Sequence, residues 1–222
     1  MMRHDSCGLL AGLGLAALLL GAGVAQASTF NVNLTISNAS LSGAPAVLDF
    51  IFLDGGLPDN TATLSAISSN GTPGSGSTIF GNVTGTGPWT FSDAGGSFFN
   101  ELQLPFDPMG TTISFSFATT DNAPGPFFPD DFSFFILNPN LSFLITTNEP
   151  FGTNALFAYD IGVGAGGLRV FTPDQAGFSF SVTPARAVPE PASLALLAAG
   201  LVALFARRRL MSSPHGRLGK GK

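Results

Sequence analysis

The side chains that could do chemistry in this chain are mostly carboxylates. Between Ser28 and Val188 stand twelve acidic residues and only two basic ones, Arg169 and Arg186, with no Lys, His or Cys. The two histidines, His4 and His215, and the single cysteine, Cys7, lie near the ends. A stretch without His or Cys cannot assemble a Ser-His-Asp triad, a Cys-His pair or a His-ligated zinc site. It also holds no Gly-x-Ser-x-Gly elbow and no phosphate-binding loop. Paired-carboxylate hydrolysis of glycosides is the catalysis left to it, and that needs two facing acids about 5–10 Å apart. Twelve acids offer many pairs and the sequence selects none. No residue is expected to be catalytic, and the chain reads as a non-enzyme, with glycoside hydrolysis as the least favoured use.

Oxygen ligands suit Ca²⁺ better than they suit catalysis. Asp54, Asp59 and Asn60 form one candidate loop, and Asp121, Asn122, Asp130 and Asp131 form another. Neither follows the EF-hand spacing, so solvated turn acids are the plain alternative, and no other cofactor is expected. A sugar-binding module would instead need flat aromatic platforms. Only Trp89 and Tyr159 offer large polar-tipped rings, and Trp89 follows Thr86-Gly87-Pro88, a loop-like context. Phe127 and Phe128 sit in the proline-rich acidic stretch from Asp121 to Asp131, where an exposed pair could touch a partner. The acidic surplus repels phosphate backbones and excludes nucleic acid as a partner.

The elements that must position these groups are strands. Phe30, Val32, Leu34 and Ile36 alternate with Asn31, Asn33 and Thr35, and Ile113, Phe115 and Phe117 alternate with Ser114 and Ser116. Phe178, Phe180 and Val182 repeat the pattern. Period two means one face buried and one wet. Val47 to Leu53, Phe132 to Leu137 and Leu141 to Ile145 are apolar on both faces and read as central strands, the last two joined by Asn138-Pro139-Asn140 as a hairpin. Weaker strands are expected at 62–67, 78–84, 89–91, 98–104, 155–163 and 168–171. No stretch of this span sustains a helical period. The expected fold class is all-β, an antiparallel two-sheet sandwich or jelly roll, with most of the 22 Phe filling its core.

The ends read as addresses. Arg3, an uncharged run from Leu9 to Val24 and the small-x-small triplet Ala25-Gln26-Ala27 form a secretory signal helix, with cleavage by signal peptidase between Ala27 and Ser28. Cys7 precedes the apolar run, so it is discarded with the signal. At the other end Pro189-Glu190-Pro191 is followed by fifteen mostly apolar residues, Ala192 to Ala206, and then Arg207-Arg208-Arg209. Prolines keep the tripeptide extended. Fifteen residues span roughly 22 Å as a helix, short of the ~30 Å hydrocarbon core, so the expected transmembrane helix is a brief handle on the inner membrane. The arginines place its end in the cytoplasm.

Val188 to Arg209 resembles the PEP-CTERM sorting signal of Gram-negative bacteria, matching its Pro-Glu-Pro, short apolar helix and arginine cluster in order. The resemblance implies recognition by an exosortase, a membrane transpeptidase-like enzyme with a Cys nucleophile. It also implies processing near the tripeptide, loss of the helix, and release or transfer to the cell surface, alongside exopolysaccharide production and biofilm formation. Such signals usually end close to the arginines; here a basic tail, Leu210 to Lys222, follows. The expected organisation is a signal peptide at 1–27, a Phe-rich acidic body at 28–186, the sorting signal at 187–209 and the tail at 210–222. The expected role is structural or adhesive, at the surface or in the matrix, with a polysaccharide-binding module as the alternative.

Overall fold

Alternation in the first described segment sets the pattern for the whole body. In Ala27–Ile36, residues Phe30, Val32, Leu34 and Ile36 are buried while their neighbours face solvent, so the segment forms a strand with one inner face. The computed structural model describes residues 27–56, 59–122 and 128–185. The chain divides into two units, 1–185 and 186–222, and every described residue belongs to the first. The signal helix, Ala25, Phe127 and the whole of 187–222, including the apolar stretch, lie outside the described residues. Among those residues no helix is long and apolar enough to cross a membrane.

Twelve strands are described: β1 (Ala27–Ile36), β2 (Ala46–Leu53), β3 (Thr61–Ser69), β4 (Thr78–Phe80), β5 (Val83–Gly85), β6 (Trp89–Ser92), β7 (Phe99–Phe106), β8 (Thr112–Thr120), β9 (Asp131–Leu137), β10 (Phe157–Asp160), β11 (Leu168–Val170) and β12 (Phe178–Pro184). They form two antiparallel sheets. One runs β12-β1-β8-β3-β6-β5 and the other β11-β10-β9-β2-β7-β4. The chain keeps switching sheets. A single helical turn, α1 (Ala39–Ser42), capped by the Asn38 side chain on Ser40 N, carries it from β1 to β2.

The inner faces meet through phenylalanine. Phe50 of one sheet meets Phe115 of the other edge-on at 5.1 Å, Phe117 packs on Phe132 at 5.2 Å and on Phe157 at 5.0 Å, and Phe30 lies 4.8 Å from Tyr159. Such rings fill the gap between sheets without a polar atom that needs a partner. β2 and β9 read as apolar on both faces because a second, smaller cluster covers their outer side: Val47, Phe135, Leu137 and Ala155, with Ile51 and Phe171.

Two expectations change. Leu141 to Ile145 is no strand. The Asn138 carboxamide oxygen accepts from Asn140 N and Ser142 N, Leu141 turns at φ +60°, and Leu144 N and Ile145 N both donate to Ile136 O. The ladder collapses to one bridge, Leu137 to Phe143. The partner of β9 on that side is β10 instead. The stretch 78–84 splits into β4 and β5, in different sheets, because Gly81 at φ +70° turns the corner between them. Most phenylalanines do lie in the buried clusters or pack against them, while Phe80, Phe98, Phe99, Phe128, Phe143 and Phe151 are exposed.

Candidate functional site

One end of the body gathers the acids. The strand ends there carry Asp54 after β2, Asn60 before β3, Asp93 after β6, Asp121 after β8 and Asp130 before β9. In the first sheet Thr61 pairs with Ser92, so Asn60 falls beside Asp93; in the second Leu53 pairs with Asp131, so Asp54 falls beside Asp130. Three carboxylates, Asp54, Asp93 and Asp130, then lie with ligand oxygens within 4.8 Å of one another.

Asn60 holds this cluster together. Its backbone N donates to both Asp93 oxygens at 2.9 and 3.0 Å, and its Nδ2 donates to Asp130 Oδ2 at 2.7 Å. Its Oδ1 accepts from Thr120 Oγ1 at 2.9 Å and Asn122 N at 3.1 Å. Gly55 N donates to Asp130 Oδ1 at 2.7 Å. Asp93 and Asp130 are buried and Asp54 is half-buried. Burial pushes the Asp93 carboxyl up to about 6; the Asn60 amide pulls it down, while Asp130, by charge and hydrogen bond, and Asp59 push it further up. The cluster is all oxygen, and each bonded carboxylate oxygen keeps a second lone pair. That donor set suits a hard divalent cation such as Ca²⁺, which Asp54, Asp93 and Asp130 could hold.

The two candidate loops are therefore one site, and it includes an acid that neither contains. Asp93 stood out by nothing local; only its place after the strand that pairs with β3 brings it in. Asp59 contributes its carbonyl to Asn122 Nδ2 at 2.7 Å. Asp121 and Asp131 turn elsewhere. Asp121 accepts from Ser28, Thr119 and Tyr159. Asp131 accepts from Ser133 and Arg169 on the outer face, where burial raises its carboxyl, Ser133 and Arg169 oppose the rise, and Asp160 adds to it.

The aromatic candidates also separate. Tyr159 is fully buried and cannot serve as a platform; the strand alternation points it inward, against Phe30. Trp89 is half-buried at the edge of the core and lines an open groove of about 400 Å³ with Ile67, Pro73, Pro105 and Phe106. Phe128 is 75 % exposed beside the acidic end.

A second carboxyl pair escapes the sequence altogether. Asp49 and Glu101 lie on adjacent strands on the outer face of the second sheet, both buried, with Gln103 Nε2 donating to Glu101 Oε1 at 2.7 Å. Asp49 Oδ1 has no hydrogen-bond partner. Burial, then a hydrogen bond and like charge from Glu101, push the Asp49 carboxyl up to about 8. Nothing in the alternation of β2 brings Asp49 and Glu101 together, since the ladder neighbours of Asp49, Gln103 and Phe135, come from far along the chain.

Residues 187–209 match the family model of the PEP-CTERM protein-sorting motif. The chain is thus of the class of exported proteins that carry a C-terminal sorting signal. The signal it carries is the one handled by exosortase, with transient membrane attachment during sorting. No curated protein and no solved structure matches the chain.

Proposed function

We propose that this protein is a structural or adhesive component of the cell surface or extracellular matrix, delivered in two cuts and active without catalysis. Signal peptidase frees Ser28, and exosortase acts near Pro189-Glu190-Pro191 and removes the apolar handle with Arg207-Arg208-Arg209. What reaches the surface is a cysteine-free β-sandwich with a jelly-roll-like strand order, acidic at one end, working beside exopolysaccharide in biofilm formation. The match at residues 187–209 carries this reading. Support for the delivered part comes from its build: two sheets closed on an aromatic core need no disulfide or cofactor to stand outside the cell. Intact mass of the protein recovered outside the cell tests it. A product beginning at Ser28 and ending near Pro189 is expected; one that runs to Lys222 refutes the sorting step.

One observation favours a polysaccharide-binding role as the second reading. Trp89, half-buried in a groove walled by Pro73 and Pro105, offers an aromatic edge beside a cleft of sugar size. A change in Trp89 fluorescence on adding exopolysaccharide is the expected sign, and it is cleanly assigned because the chain has one Trp. Unchanged emission at saturating polysaccharide removes this reading.

A further inference from the structure

The Asp121 carboxylate is crowded with hydroxyls, and among the described residues no basic side chain pairs with it. Ser28 Oγ donates to its Oδ2 at 2.5 Å, and Thr119 Oγ1 and Tyr159 OH donate to its Oδ1 at 3.1 and 3.2 Å. Among the described residues the one basic side chain is Arg169, and it is held by Asp131 at 3.1 Å and Asp160 at 2.8 Å. The ladder fixes this arrangement: Ser28 pairs with Thr119, so the first residues of β1 run beside the last of β8, where Asp121 follows. Tyr159 reaches the same carboxylate from β10, in the other sheet. Both sheets therefore converge on one anion beside Ser28.

Ser28 is also the residue that a cut after Ala27 turns into an N-terminus. In serine the backbone nitrogen and Oγ are three bonds apart, which places Ser28 N within about 4 Å of its own Oγ and roughly 6 Å of the Asp121 carboxylate. In the uncut chain that nitrogen is a neutral amide. Hydrolysis of the Ala27–Ser28 bond puts the water's hydroxyl on the Ala27 acyl carbon and releases the nitrogen as an amine, which takes a proton at neutral pH to become an ammonium.

We propose that removal of the signal peptide supplies Asp121 with a cation: the new α-ammonium of Ser28 pairs with the Asp121 carboxylate and fastens the first strand to both sheets. Resting as it does on cleavage after Ala27, the pair exists only in the processed protein. The leader thus withholds one fastening of the fold until the chain has crossed the membrane. Among the described residues, the titratable groups in hydrogen-bond contact with Ser28 are Asp121 and Tyr159, and Tyr159 is buried and neutral at physiological pH, with its hydroxyl pushed upward by that burial.

The body makes the test clean. Residues 28 to 188 contain no Lys, so the α-amine is the only amine there, and Lys220 and Lys222, where retained, titrate near ~10.4. The exported protein is purified, its first residue read by intact mass, and the pH dependence of amine acylation measured. The expected α-amine titrates at least about one unit above the ordinary ~7.7–8.0, which is about tenfold slower acylation near neutral pH. The shift disappears in Asp121→Asn and in the urea-unfolded wild type, which serves as reference even where the variant folds poorly. A protein that starts at Ser28 with an ordinary amine overturns the pairing alone, as does a shift that survives Asp121→Asn. A protein that starts elsewhere overturns the cleavage site and the pairing with it.

Discussion

Replacing Asp49 by Asn should make the protein more stable at alkaline pH and leave it nearly unchanged in acid. Asp49 is 3 % exposed on the central strand β2, with Oδ1 unpartnered and Glu101 beside it. Its carboxyl titrates at about 8 in the fold against 3.8 in the unfolded chain. A raised folded value means that the folded state keeps a proton that the unfolded state has already released. Stability therefore falls as pH rises from about 3.8 to about 8 and levels off above. At ~1.36 kcal/mol per unit the shift sets a ceiling of about 6 kcal/mol, which local relaxation lowers. Asparagine keeps the shape, carries no charge and can still donate to Glu101, as the protonated acid does. Urea unfolding at several pH values, wild type against Asp49→Asn, isolates this residue from other titrating acids. The expected difference is near zero at pH ~4 and grows to roughly 2–5 kcal/mol in favour of the variant by pH ~9. A difference that does not change with pH, or one that favours the wild type at high pH, refutes the buried-carboxyl account.

Three further outcomes follow from the same packing. Asp93→Asn should remove part of the fall in stability between pH 3.8 and about 6, because Asp93 also holds its proton longer in the fold; identical pH profiles by urea midpoint would count against the cluster's geometry. Phe117→Ala empties a fully buried site that stacks on Phe30 at 4.8 Å and Phe157 at 5.0 Å, and should cost about 3–5 kcal/mol in denaturant unfolding; a loss under ~1 kcal/mol would mean that the sheets do not meet there. Gly81→Ala places a Cβ 2.3 Å from Phe99 O at φ +70°, and should lower stability by at least about 1–3 kcal/mol, read as a drop in melting temperature; an unchanged melt would mean that the corner between β4 and β5 is built differently.

Much of this was legible one residue at a time. Alternation along Phe30–Ile36 and Ile113–Phe117 identifies strands with one wet face, because successive side chains must point to opposite sides of a sheet. The absence of His, Cys and Lys between Ser28 and Val188 limits the chemistry available there, and the order Pro-Glu-Pro, apolar run, arginines marks the sorting signal, because these are properties of composition and order alone. Pairing is different. A strand's pattern states which face is buried but not which strand lies beside it, so only the fold sets β2 between β7 and β9 and Asp54 beside Asp130, some 75 residues apart in the chain. The same holds for burial of polar groups. Asp49 occupies a position that alternation assigns to the outer face; there it lies between Gln103 and Phe135 on the neighbouring strands, is buried, and burial raises its carboxyl. Desolvation and charge proximity depend on distances between groups far apart in sequence, and those distances exist only once the two sheets have closed.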